Sequence, residues 1–178
     1  RTTFIPSVVA TKHPAFLTPL PEEHLRHAAH LPKGFDLKLP WEGAFTISNG
    51  YGYESRSWTH QTIGNKVSAN DFFAIDVPMP IGVPILAAAD GRILTSQDRS
   101  SLDSYGKYVV IDHGKGIRTI YAHLDQLEYE VERGKPLVRV RQGQRIGTSG
   151  ASGGQMTPHL HFAVHQNSSL SASGCDIG

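Results

Sequence analysis

From residue 41 to residue 164 the chain is a succession of short apolar runs, rich in Val, Ile and Tyr, each cut off by Gly, Asn, Asp or Pro. Runs this short do not supply the stripe of a long amphipathic helix, but they suit strands that alternate between the two faces of a sheet. No helical period recurs between them, which argues against a parallel sheet with crossover helices. The expectation is an all-β domain: an antiparallel, sandwich-like sheet. Residues 83–89 predict a strand, Asp90-Gly91 a turn and residues 92–95 the next strand. Residues 107–112 and 117–123 read as a hairpin joined by Gly114-Lys115-Gly116. Residues 137–140 and 145–146 follow, and a Gly/Ser-rich loop over 147–154 leads into a strand at 159–165.

With 178 residues there is room for one domain with a real core and little room for two. Residues 1–40 carry several prolines and no sustained period beyond a helical turn or two around 21–31, so they read as an extended N-terminal arm. The catalytic-type domain is expected over 41–166, and 167–178 as a small, polar, loosely ordered tail. Lys and Arg number 17 against 16 Asp and Glu and are scattered along the chain, so no nucleic-acid footprint stands out. No apolar run is long enough to make a transmembrane segment, and the first residue, Arg1, fits a processed product or a fragment. The lone Cys175 has no partner for an internal disulfide and leaves the redox compartment open.

The chemistry-bearing pattern is Pro158-His159-Leu160-His161-Phe162. Side chains two apart on a strand share a face, so His159 and His161 stand together while Leu160 and Phe162 enter the opposite layer. Among 10 histidines such a pair also arises by chance, so it needs support. Asp76 supplies some: it is an isolated carboxylate within the apolar Ala74-Ile75-Asp76-Val77, and burying it demands a partner, either a metal ion or an Arg or Lys. His60, across a polar loop, is a third candidate. Two imidazoles and one carboxylate, with water in the fourth position, are the open donor set of a catalytic zinc site. His123, read alone, is a strand-end histidine in contact with solvent. His24, His27 and His30 recur every three residues with no accompanying carboxylate or thiol, and they read as solvent-facing.

Taken together, the segments resemble the lysostaphin-like metallopeptidases of family M23, which cleave peptidoglycan. An aspartate block, Phe73-Ala74-Ile75-Asp76, is followed by Pro80-Ile81-Gly82-Val83-Pro84-Ile85 and Ala87-Ala88-Ala89-Asp90-Gly91. A central block, Tyr108-Val109-Val110-Ile111-Asp112-His113-Gly114, precedes Thr119-Ile120-Tyr121-Ala122-His123-Leu124. Gly143-Gln144-Arg145-Ile146-Gly147-Thr148-Ser149-Gly150 and then Pro158-His159-Leu160-His161-Phe162 close the series. The resemblance implies that Asp76 and His161 bind zinc and that His123 and His159 are unliganded catalytic histidines. It leaves His60 as the remaining ligand, the one histidine between His30 and Asp76, with Ser48-Asn49-Gly50-Tyr51-Gly52 similar to the lead-in. The family's commonest form has its first histidine a few residues before the aspartate, where this chain has Phe72; a longer gap also occurs.

By the same resemblance, zinc would acidify water and polarise a scissile carbonyl, while His123 and His159 share the proton transfers. Asp112, Asp125 or a backbone carbonyl could steady a ring nitrogen, against the plain reading of solvated strand-end aspartates; Tyr51 or Tyr53 is either a hydrogen-bond donor or an aromatic lining the groove; neither His113 nor His165 matches a ligand position, though His165 shares a strand face with His161. The expected substrate is the peptide of peptidoglycan, reached outside the cytoplasm, in the periplasm or after secretion. Loops over 61–71, 96–105 and 149–157 are where specificity would reside. Two other readings stay open: a catalytically silent relative that binds or activates another hydrolase, and a peptidase of ordinary proteins.

Overall fold

A computed structural model describes residues 32–48, 74–98, 105–132, 137–154 and 157–166, together with the backbone of 62–63 and 66–67. His24, His27, His30, Tyr51, Tyr53, His60, Phe72, Cys175 and the tail lie outside the described residues. Every regular element among the described residues is a strand. A two-residue ladder, β1 (Thr62–Ile63) with β2 (Lys66–Val67), stands within the stretch read as a polar loop. The remaining strands are β3 (Ala74–Pro78), β4 (Pro84–Leu86), β5 (Gly91–Asp98), β6 (Lys107–Gly114), β7 (Ile117–Leu127), β8 (Val138–Val140), β9 (Arg145–Ser149) and β10 (His159–Gln166).

They form one antiparallel sheet in the order β3-β10-β7-β6-β5-β8, with β9 branching from β7 to pair with β4. The alternation that predicted strands also sets the two faces. Ile75, Val77, Val109, Ile111, Tyr121, Leu160 and Phe162 fill the main core, where Ile85 of β4, Ile146 of β9 and Trp41 meet them. Burying side chains of that size stabilises by about 1.5–3 kcal/mol each. The opposite face carries a smaller cluster of slighter side chains: Ala74, Ala122, Ala163, Val110, Ile120, Tyr105 and Tyr108. The 32–48 segment runs along the domain, with Lys38 N–H donating to Ala88 O (2.8 Å) and Leu86 N–H to Pro40 O (2.9 Å).

Element boundaries depart from the sequence expectations most clearly in four places. The strand expected over 83–89 is confined to Pro84–Leu86, because Ala87 turns its N–H to Gln144 O (2.9 Å) and accepts from Gly143 N–H (2.9 Å) in a loop contact. Strand β5 runs on to Asp98, past the expected end at 95: a bulge between Ile93 and Thr95 keeps the polar Ser96 and Gln97 paired with Val109 and Tyr108. Strand β9 continues to Ser149, so the loop expected over 147–154 starts later. Strand β7 continues to Leu127, which puts His123 inside a strand instead of at its end. Among the described residues no helix is long and apolar enough to cross a membrane.

Candidate metal centre and the histidines around it

Strand β10 lies between β3 and β7, and its register sets His161 directly opposite Asp76 on one side and Ala122 on the other. Residues directly opposite in an antiparallel ladder share a face. Asp76 and His161 are therefore neighbours although 85 positions separate them, with His161 Nδ1 3.0 Å from Asp76 Oδ1. Asp76 is 7% exposed and His161 3%. His159, two residues earlier on the same strand face, brings its Nε2 to 3.8 Å from the same carboxylate oxygen. A cavity of about 170 Å³ lined by Ser48, Asp76, Pro78, Thr157, Pro158 and His159 opens beside them.

His123 reaches this face by an irregularity. The β6–β7 register passes from Val109↔Tyr121 to Lys107↔Leu124, so Tyr108 alone faces both Ala122 and His123. Two residues opposing one is a β-bulge, and the extra residue here, His123, has φ +61°. Regular alternation would send His123 into the main core beside Tyr121. The bulge turns it toward Ala122's face instead, where its ring centroid is 4.7 Å from that of His159 and 5.8 Å from that of His161.

The left-handed backbone is held at several points. His123 N–H donates to Tyr105 O (2.9 Å), and its Nδ1 lies 2.9 Å from Ser152 O. The Ser152 hydroxyl donates to Leu124 O (2.6 Å) and accepts from Lys107 N–H (2.8 Å). Gly106, at φ +63°, lets the two segments touch, since a Cβ there would stand 2.3 Å from the Ser152 backbone. The Tyr105 ring packs on His161 (5.1 Å) and His123 (6.3 Å). His159 is oriented in the same way as His123: its Nδ1 lies 2.7 Å from Thr157 O. In the neutral form of both rings Nδ1–H donates to a carbonyl, which leaves Nε2 as the working nitrogen. Backbone carbonyls thus do the task for which Asp112 and Asp125 were also candidates. Asp112 accepts Gly114 N–H (2.9 Å) instead, and the Asp125 contact seen is its carbonyl accepting from Lys107 Nζ (2.7 Å).

Burial pushes the His123 pKa down to about 4, assisted by the neighbouring His161 and His159 and opposed by Ser152 O and the Asp76 charge. His123 is therefore neutral at pH 7, with Nε2 able to accept a proton. His165 is buried on the same strand face, opposite Arg118. His113 lies away from the site, between Asp90 O (2.8 Å) and the Thr119 hydroxyl (2.7 Å).

The donor set suits zinc in kind: a carboxylate oxygen and an imidazole nitrogen, adjacent and sheltered, on paired strands, with a proton between them that a cation would displace. Among the described residues no group of three or more His, Cys, Asp or Glu gathers in a metal-holding arrangement. The third expected ligand, His60, lies outside them. Sequence reasoning missed Tyr105, Ser152 and Thr157, which place the histidines through main-chain carbonyls and ring packing. A carbonyl contact leaves no mark on residue identity.

Comparison with known proteins gives a consistent result. The profile described as Peptidase family M23 matches residues 72–172. The peptidoglycan DD-endopeptidase ShyA of Vibrio cholerae is 39% identical over 89 residues, which is 50% of this chain and 19% of that protein. A zinc containing peptidase from Vibrio cholerae superposes with a TM-score of 0.57 at 28% identity, over 74% of this chain and 37% of that one. The catalytic domain of lysostaphin from Staphylococcus simulans gives 0.50 at 28% identity, over 70% and 82%. The chain spans less than a quarter of the length of the curated relatives it matches.

Proposed function

Because the chain belongs to peptidase family M23, we propose that it is a zinc-dependent endopeptidase that hydrolyses peptide bonds in bacterial peptidoglycan, outside the cytoplasm. The observation that carries this reading is the Asp76–His161 pair, 3.0 Å apart, with the His123 and His159 rings beside it on the same sheet face. Asp76, His161 and His60 would hold the metal. When bound, zinc supplies Lewis acidity, drawing the pKa of water toward neutrality and polarising a carbonyl.

The residues of the chain do the rest. His123 and His159, anchored through Nδ1, present Nε2 to the reacting atoms. A neutral His123 accepts a proton there, and the other ring, once protonated, donates to the leaving amine or to the developing oxyanion. The Tyr105 ring, packed on His161, shelters the pair on one side. ShyA's description as a DD-endopeptidase and the zinc content of the V. cholerae structure support both substrate and metal.

The test is to incubate the zinc-loaded protein with purified peptidoglycan and identify released fragments by mass spectrometry. Fragments released by the native protein and not by Asp76→Ala support the reading and name the bond. No fragments from a protein that carries one zinc per chain would overturn it in favour of a silent relative that activates another hydrolase.

A further inference from the structure

A larger groove, of about 730 Å³, lies at the other end of the sheet, lined among others by Asp90, Arg92, Asp112, Arg139 and Arg141. The strand register builds it. Arg139 of β8 is directly opposite Arg92 of β5, Arg92 is opposite Asp112 of β6, and Asp112 is opposite Arg118 of β7. Three arginines scattered along the sequence, with Asp112 among them, thus fall into one row across four strands. Directly opposed like charges destabilise a ladder, and Arg92 against Arg139 is such a pair. Asp112, directly opposite Arg92 on its other side, offsets part of that cost, yet among the described residues the Arg92, Arg139 and Arg141 side chains, all exposed, make no ion pair or hydrogen bond. Each nearby carboxylate gives one oxygen to a backbone N–H, Asp90 Oδ1 to Gln142 (2.7 Å) and Asp112 Oδ1 to Gly114 (2.9 Å).

Arg92 lies roughly 20 Å from His161, being four residues along at ~3.3 Å and three strands across at ~4.8 Å. The intervening Ala163, Ile120 and Val110 are buried, so the groove is a separate surface and not a continuation of the hydrolytic site. We propose that it is a non-catalytic anion-binding site that grips free carboxylates of the polymeric substrate and retains the protein on it. The identity of that polymer rests on the function proposed above. Three guanidinium groups beside two carboxylates give a modest positive charge. That suits carboxylates spaced along a peptide network and not a dense phosphate backbone, while paired guanidiniums match carboxylate geometry. A second contact of this kind raises the local concentration of cleavable bonds without touching them.

The test is co-sedimentation of the full chain with peptidoglycan freed of phosphate polymers, at increasing NaCl. The native protein should be retained at low salt and released as salt rises, and Arg92→Gln/Arg139→Gln should bind roughly tenfold more weakly with a flatter salt response. Arg145→Gln, whose guanidinium is already paired with Glu128 at 2.7 Å, should behave as the native protein. Amidating the wall carboxylates should reduce native binding to the level of the double variant. Equal retention of native and double-variant protein would overturn the proposal, as would native retention that survives amidation or appears only when phosphate polymers are present. His123→Ala protein should sediment normally. Salt-sensitive, arginine-dependent binding without any hydrolysis would therefore sink the enzyme reading and leave this one standing.

Discussion

His113 and His123 sit toward opposite ends of the β6–β7 hairpin, the first partly buried and the second buried, each with Nδ1 against a backbone carbonyl, Asp90 O in one case and Ser152 O in the other. Burial lowers both pKa values, that of His123 to about 4. The difference lies in the second nitrogen. His113 Nε2 is 2.7 Å from the Thr119 hydroxyl, which is 2.9 Å from the Tyr121 hydroxyl, which accepts Ala88 N–H at 2.9 Å. With His113 neutral, one order of protons satisfies every member: Tyr121 donates to Thr119, Thr119 to His113, and His113 to Asp90 O. A protonated His113 would reverse the order and strand the Tyr121 proton in the core. His123 Nε2 has no such partner among the described residues and faces the His159 ring. A depressed pKa in a buried histidine does not by itself mark a reactive group; what occupies its second nitrogen does.

Four measurements would break or sharpen that contrast. His123→Ala should lower peptidoglycan hydrolysis about 10³-fold while zinc content, read by mass spectrometry, stays at the native level. Asp76→Ala or His161→Ala should lose both metal and activity. Equal metal loss in all three would erase the distinction between ligand and proton carrier. Gly106→Ala should cost about 3 kcal/mol in urea denaturation, because its Cβ would collide with Ser152 at a left-handed backbone position. It should also slow hydrolysis, since Ser152 O orients His123.

Thr119→Val should cost about 2 kcal/mol by leaving buried polar groups unpaired, yet turnover per folded molecule should match the native protein. The smallest effect is in acid. Because folding lowers the His113 pKa, the unfolded chain takes up that proton first, so native stability is complete above about pH 6.5 and falls as pH drops through the folded value. His113→Gln should therefore lose less stability than the native protein between pH 7 and 5, read as a smaller fall in Tm over that range. A steeper loss in the variant would show that the ring is not held neutral.

The unequal legibility of these residues in the sequence has a physical basis. His159 and His161 were readable because β10 is regular and alternation alone puts them on one face. Asp76 stood out as a carboxylate within an apolar strand. His123 was invisible to the same logic: alternation along β7 assigns it to the core with Thr119 and Tyr121, and only the bulge reverses that. No Gly or Asn marks the left-handed position, so resemblance to a family pointed to it where pattern could not. The strands were legible wherever Gly or Asp turns bounded them. Their extensions through Ser96 and Gln97 or to Leu127 were not, because polar residues there are held by cross-strand pairing and not by their own propensity.

The insertion of β10 between β3 and β7 has a consequence for how the molecule comes into being. The two proposed ligands on the sheet are 85 positions apart, and the strand that joins them is the last of the sheet to leave the ribosome. Closing so long a loop is among the slower steps available to a β fold. A nascent chain that stops short of β10 cannot bring Asp76 and His161 together, so the pair would form in one step, when β10 docks between β3 and β7, and not in a partial sheet.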